Sequence, residues 1–327
     1  VPLRQIKIKK AQLAFLICCL FFSCSAFPQA TIKNFHFRSI KKNNIAFEVF
    51  AEVAIKSKEE ITASQAHVVI HNLDGQISIR SSEATYSLLS KKIFFKNKVL
   101  LEDSHKLSIK CDELVYDSSN KKAFIPASFY LSSPKEHPKA GALIATGQKL
   151  EVDLSSKKIK ASNVELQQNH NKSKSTIKAK FLSGNYENSQ YDLNSAAKIS
   201  AEWGSIAAEK IKIKKNKDLY FLEAIKKVSF TKEDAKVRSQ HATLKPKNSK
   251  DFLARFTGNV AFNKDSFQGQ ADELLYNTLT QLINLRGNAS LKNEQQEISG
   301  KEIDLSLKDQ SLTVRNASGS IKTPKDL

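Results

Sequence analysis

The sequence predicts an all-β protein, an elongated open β-jelly-roll built from stacked bent hairpins. Three observations carry that expectation. Apolar and polar residues alternate almost everywhere after Thr31, which marks strands with one packed face and one wet face. No stretch keeps the i, i+3, i+4, i+7 spacing of a long amphipathic helix. A short motif recurs every 27 to 36 residues along the 327-residue chain, the mark of a repeat architecture.

The elements follow in order. Residues 1–30 carry Arg4, Lys7, Lys9 and Lys10, no acid, and an apolar run from Leu13 to Phe22. This is the pattern of an export signal or a short membrane anchor, and Cys24 in Ser23-Cys24-Ser25 adds lipidation as a third alternative. All three place the body of the chain outside the cytoplasm. Next comes a strand in which Ile45, Phe47, Val49, Ala51, Val53 and Ile55 are expected to share one face. A strand with Ile93, Phe95, Val99 and Leu101 on its inner face follows.

The repeat is clearest where Cys111-Asp-Glu-Leu-Val-Tyr116 reappears as Ala271-Asp-Glu-Leu-Leu-Tyr276. Behind that pair lies a looser column of rungs. A small residue stands at Ser81, Cys111, Gly147, Ala208, Ser239, Ala271 and Gly300. Three residues on, each rung has an apolar one: Ala84, Leu114, Leu150, Ile211, Ala242, Leu274 and Ile303. A second apolar residue follows two later. Tyr186 falls on the period, but Phe181 occupies its small position. Alternation broken by one extra residue predicts a bulge or corner where the strand bends.

Between rungs, Lys91-Lys92, Lys121-Lys122 and Lys157-Lys158 stand at identical offsets and read as polar hairpin turns. Outgoing strands are expected to end alike, as in Thr257-Gly-Asn-Val-Ala-Phe262 and Arg286-Gly-Asn-Ala-Ser-Leu291. The count predicts eight or nine hairpins. A polar, linker-like stretch from Gln167 to Ser175 divides them into one unit over 31–168 and a second over 169–327, continuous with the first. Pro134 to Gly141 is irregular and the tail from Thr323 is expected to fray.

Composition narrows the function. Lys plus Arg number 52 against 33 acids, a formal charge of +19. Arg is rare among them, whereas readers of phosphates and bases favour its forked guanidinium. There is no stacking platform of aromatic and basic residues either, so no nucleic-acid partner is expected. Cys111 is the one thiol of the body, which leaves no internal disulfide and fits a buried, inert side chain. The seven histidines are scattered, with His67 and His71 too far apart along a strand to share a metal. Asp112-Glu113 and Asp272-Glu273 are adjacent strand residues expected to point to opposite sides, a structural use in the polar gap of the bulge. Trp203 reads as an anchor in the packed face. No nucleophile elbow or phosphate loop is present. The chain is therefore expected to be no enzyme and to need no cofactor or metal. Three readings stay open: a lipid-conducting groove, a polyanion-binding module and a passive exported repeat scaffold. A scaffold should fill its interior and a conduit should leave it open; the small-residue column favours the conduit.

Residues 32 to about 166 resemble LptC, the periplasmic component of the lipopolysaccharide exporter, through Asn34-Phe35, Phe47 to Ala54 and the Asp-Glu-Leu-Val-Tyr-Asp rung at 112–117. Residues from about 175 to 321 are similar to LptA and OstA-like domains. Here the cues are Gly258-Asn-Val, Ala271 to Tyr276, Arg286-Gly-Asn and Gly300-Lys-Glu-Ile-Asp304. The resemblance implies a periplasmic protein, tethered to the inner membrane if its first segment is retained, whose apolar groove carries lipopolysaccharide acyl chains. It further implies an ABC transporter permease domain at the N-terminal edge. An LptA-like or outer-membrane OstA-like domain is implied at the C-terminal edge. The groove residues expected are Phe47, Val49, Ile93, Phe95, Val99, Leu101, Leu107, Ile109, Leu114, Tyr116, Ile125, Phe129 and Leu131. In the second half they are Val260, Phe262, Leu274 and Tyr276. The strand from Phe47 to Val53 is expected near one end of the stack, and the strand from Leu312 to Ile321 at the other.

Overall fold

The computed structural model describes residues 30–41, 44–72, 75–103, 108–132, 142–170, 173–216, 219–247, 251–293 and 297–317. The expected export segment with Cys24, Leu107, the stretch 134–141 and the tail from 318 lie outside them. All described secondary structure is strand, nineteen strands in all. The first ten are β1 (Ala30–Lys41), β2 (Asn44–Lys56), β3 (Glu60–Asn72), β4 (Gly75–Ser87), β5 (Lys92–Asp103), β6 (Ser108–Asp117), β7 (Lys122–Ser132), β8 (Ala142–Asp153), β9 (Lys158–His170) and β10 (Ser173–Asn185). The rest are β11 (Gln190–Ala201), β12 (Gly204–Asn216), β13 (Leu219–Lys232), β14 (Ala235–Pro246), β15 (Phe252–Lys264), β16 (Phe267–Asn277), β17 (Leu282–Lys292), β18 (Glu297–Ser306) and β19 (Leu312–Ala317). Each pairs antiparallel with the strands before and after it, making one open meander.

The turns have a repeated chemistry. In the β6–β7 hairpin, Asp117 Oδ1 accepts from the backbone N–H groups of Ser119 and Asn120 at 2.9 and 3.0 Å. Asp153, Asn185 and Asn277 hold their turns in the same way. Such side chains mimic a backbone turn. The first lysine of the expected pairs then closes the hairpin in left-handed backbone, with φ of 53° at Lys91, 52° at Lys121 and 57° at Lys157.

Every strand pair from β4 to β9 and from β10 to β18 shifts register near its middle. This is the corner that the rungs predict. On β16 the pattern is Ala271 buried, Asp272 and Glu273 outward, Leu274 buried. The two acids thus share the outer face, contrary to the expectation of opposite sides, because the corner interrupts the alternation. The equivalent pair on β6 behaves alike: Asp112 and Glu113 are both exposed. The Gly-Asn pairs sit at the corner of β15 and β17, mid-strand rather than at the strand ends. Gly258 and Asn259 have φ of 79° and 50°, Gly287 and Asn288 of 70° and 47°. A Cβ on Gly287 would come within 2.6 Å of Asp272 Oδ2, and Asn288 Nδ2 donates to that same oxygen at 2.9 Å.

Three further expectations are corrected. On β2 the inward set is Phe47, Val49, Ala51 and then Ala54, with Ile55 exposed; the corner at Glu52-Val53 flips the face. The β10 rung is Ala179, Leu182 and Gly184, so Phe181 and Tyr186 point outward. With these two, a small residue followed three positions later by an apolar one stands on all nine even-numbered strands. The stretch from Gln167 to Ser175 is no linker, because β9 and β10 stay paired up to Ser173 opposite His170. The Phe47–Val53 strand lies near one end as expected, second to β1, and β19 is at the other end among the described strands.

The buried side chains form two clusters. One runs from Phe47 to Val164 and the other from Ala179 to Leu305, with partly buried Leu182 packed against both.

Candidate functional site

The corners divide each strand into two arms, and the sheet folds along that line. The first wall holds the arms between the Asx-type turns and the corner; the second wall holds the arms beyond it. The proof of folding lies in contacts that a flat sheet forbids. Phe252 opens β15 and lies ten residues from Phe262, a span of about 33 Å along an extended strand. Phe230 stands in the row of Phe262, since Phe230 pairs with Val237 and Val237 with Phe262. Yet the rings of Phe230 and Phe252 are 5.4 Å apart, and those of Phe230 and Phe256 5.5 Å apart. The two walls therefore face each other across an apolar interior.

That interior differs along its length. In the second half, Phe230, Phe252 and Phe256 are fully buried. Trp203 closes over them, 6.1 Å from the Phe252 ring and stacked at 6.5 Å on Phe230, and Tyr276 meets Phe252 edge-on at 5.6 Å. Thr278 fastens the start of β15, accepting from Phe252 N–H at 2.8 Å and donating to its carbonyl at 3.1 Å. Such edge-to-face pairs add to the burial of the rings themselves. In the first half Ala54, Ala63 and Ala84 lie side by side on three strands beside the corner, as Ala224 and Ala242 do on two strands of the second half. A pocket opens in the first half between Phe35, Phe37 and Val49 on one wall and Ile61, Ala63, Ala84, Tyr86 and Ile93 on the other. It is a narrow, partly open pocket whose free room is about that of one water molecule. Phe47 and Tyr86 bridge the walls at 5.9 Å.

The expected groove residues all lie on the inner face where they are described. Ile93, Phe95, Leu114, Tyr116, Ile125, Leu274 and Tyr276 belong to the first wall; Phe47, Val49, Val99, Ile109, Phe129, Leu131, Val260 and Phe262 belong to the second, and all are buried. Leu101 is half-buried, and Leu107 lies outside the described residues. Phe94, the neighbour of Phe95, is 36% exposed on the outer face. Sequence reasoning missed Phe35, Phe37 and the Phe230, Phe252 and Phe256 group as lining residues. The alternation Phe252, Ala254, Phe256 was the available signal.

The outer face carries the charged residues together with exposed apolar side chains such as Phe50, Phe94, Phe124 and Phe181. Glu48 accepts from Arg38 and lies 3.3 Å from His36 and 3.4 Å from His71. The Arg38 hydrogen bond holds the Glu48 carboxyl below the usual range. Among the described residues no group of three His, Cys, Asp or Glu side chains is placed to hold a metal ion. Inside, burial and then the Asp112 charge push the Cys111 thiol up from 9.0 to about 12, so it is no nucleophile at neutral pH. Burial likewise pushes the Tyr116 and Tyr276 hydroxyls from 10.0 to about 12. Above the unfolded values the unfolded chain has shed protons that the folded chain keeps, so stability falls with rising pH. The urea midpoint should accordingly decline between pH 9 and 12, and Tyr116→Phe with Tyr276→Phe should flatten the decline. An unchanged slope in that double variant would show the hydroxyls to be solvent-coupled.

Residues 205–311, from β12 through β18, match the family model described as LptA/(LptD N-terminal domain) LPS transport protein. The match spans about a third of the chain and supports an OstA-like lipopolysaccharide-transport family, without singling out LptC. No curated protein matches the sequence significantly.

Proposed function

We propose that the chain is a periplasmic carrier that shields lipopolysaccharide acyl chains between its two walls and passes them from an inner-membrane ABC transporter toward the outer membrane. The observation that carries the reading is an apolar interior of two buried clusters that share Leu182 as a neighbour, folded from a sheet whose residues 205–311 match the lipopolysaccharide-transport family. The unit over 31–168 acts in the manner of LptC and the unit over 169–327 in the manner of LptA. The permease domain meets the N-terminal edge, and an OstA-like domain meets the C-terminal one.

The mechanism is physical. Each acyl methylene kept from water is worth about 0.8 kcal/mol, so a fourteen-carbon chain exposed to water would cost up to about 10 kcal/mol. An apolar interior removes most of that cost. The lipid first enters beside Tyr86 and Ile93, where it has to widen the narrow pocket between the walls. Farther along, it has to part Phe230 from Phe252 and Phe256, exchanging one apolar contact for another. Transfer between such sites is nearly balanced, so direction comes from a partner that spends ATP.

A photo-crosslinker tests the reading. At Phe95 it should capture lipopolysaccharide, and at Phe94 it should not, because neighbours on a strand point to opposite faces. Equal capture at the two positions would mean that lipid binds the outside of the sheet. Capture at neither would favour a passive scaffold.

A further inference from the structure

In the outward row next to the corner, charges change sign strand by strand as they approach the C-terminal edge. Glu273 on β16 pairs across with Arg286 on β17, Arg286 with Glu302 on β18, and Glu302 with Arg315 on β19. The contacts follow the row: Arg286 Nε lies 3.1 Å from Glu302 Oε1, and Arg315 lies 3.9 Å from Glu302 and 3.5 Å from Asp304. The row thus ends on a cation whose side chain is 63% exposed, at a strand that has one partner among the described residues. At the other end of the sheet the free edge is again cationic. Lys33 on β1 is exposed and opposite Val53, with no ion-pair partner among the described residues.

These two cations hold the same place in the repeat. Arg315 precedes the corner residue Asn316, with φ 52°, and Lys33 precedes the corner residue Asn34, with φ 51°. Both strands run from the first wall toward the second. A second copy whose interior continued the first would set its β1 beside β19 with the corners level, bringing Lys33 against Arg315. Like charges directly across a strand pair are destabilising, and a lysine on an open edge guards against strand addition.

We infer that neither edge is made for another copy of this chain, and that each takes a strand of a different protein bearing a carboxylate in the row next to the corner. The inference rests on the carrier reading for its partners and on the charge row for their chemistry. The row itself specifies the next residue: after acid, base, acid, base, the incoming position calls for an acid.

The test is to supply that acid. Sedimentation velocity at low ionic strength should find the exported body of the chain monomeric over a wide concentration range. Lys33→Glu should associate end to end, at least tenfold more tightly than the unmodified chain. Lys33→Glu combined with Arg315→Glu should return to monomer. Lys33 has no ion pair to lose among the described residues, so its variant should fold normally, and circular dichroism checks that it does. An unmodified chain that assembles as readily as Lys33→Glu, or a folded Lys33→Glu that stays monomeric, would overturn the inference. Lipopolysaccharide content of the same samples separates the two ideas. Charge-dependent assembly in lipid-free protein would leave this inference standing and remove the carrier reading.

Discussion

Truncating Phe230 to alanine should lower stability by about 3–5 kcal/mol, the usual cost of emptying a buried phenylalanine site, while increasing the lipopolysaccharide that the folded protein retains. The two effects share one cause. Phe230 is fully buried and joins the walls through Phe252, Phe256 and Trp203. Its loss leaves an apolar space, and such spaces stay dry and accept apolar guests. A carrier gains room for an acyl chain at the point where its walls otherwise meet. A scaffold gains nothing and is merely weakened. Urea unfolding measures the first effect, and lipid per folded molecule after purification measures the second. Reduced stability with unchanged or reduced lipid would identify the second half as ordinary core.

Deletion from Gln310 onward should abolish capture of the outward OstA-like partner and leave lipid binding by the first half intact. The cut removes β19, so the edge that remains is β18, where Glu302 and Asp304 have lost Arg315. An acid-bearing strand that suited the native edge would now face acids. The remaining strands keep their neighbours, because each pairs only with those adjacent in sequence. Pull-down with the full and shortened chains decides the point. Undiminished capture by the shortened chain would place the docking surface elsewhere.

Much of this fold was legible because the corner leaves a trace in residue size. Small, two polar, apolar can be read wherever the outward residues are polar, as at Ala271 to Leu274. The same reading failed on β2, where Val53 and Ile55 are apolar yet lie outside the fold line, so simple alternation seemed to continue past Ala51. It failed on β10 because Phe181 is large, apolar and 48% exposed, which hid Ala179 two positions earlier. The inner-face residues were legible from alternation alone. Which of them touch across the interior was not, because Phe230 and Phe252 are brought together only when the sheet folds. The signs of the outer charges were visible in the sequence, but their alternation exists only in the register between strands.

The strictly sequential pairing also makes the molecule a ruler. Eighteen inter-strand steps of about 4.8 Å give a length near 85 Å along the hydrogen-bonding direction, before twist is allowed for. Because each strand hydrogen-bonds only to its sequence neighbours, and ring contacts across the interior such as Trp203 to Phe252 reach only a few strands farther, stability approximates a sum of short-range terms. Inserting or removing one hairpin would change the reach by close to 10 Å and leave every other strand with its partners. Distance spanned is therefore a quantity that this architecture can adjust in equal increments without redesigning its interior.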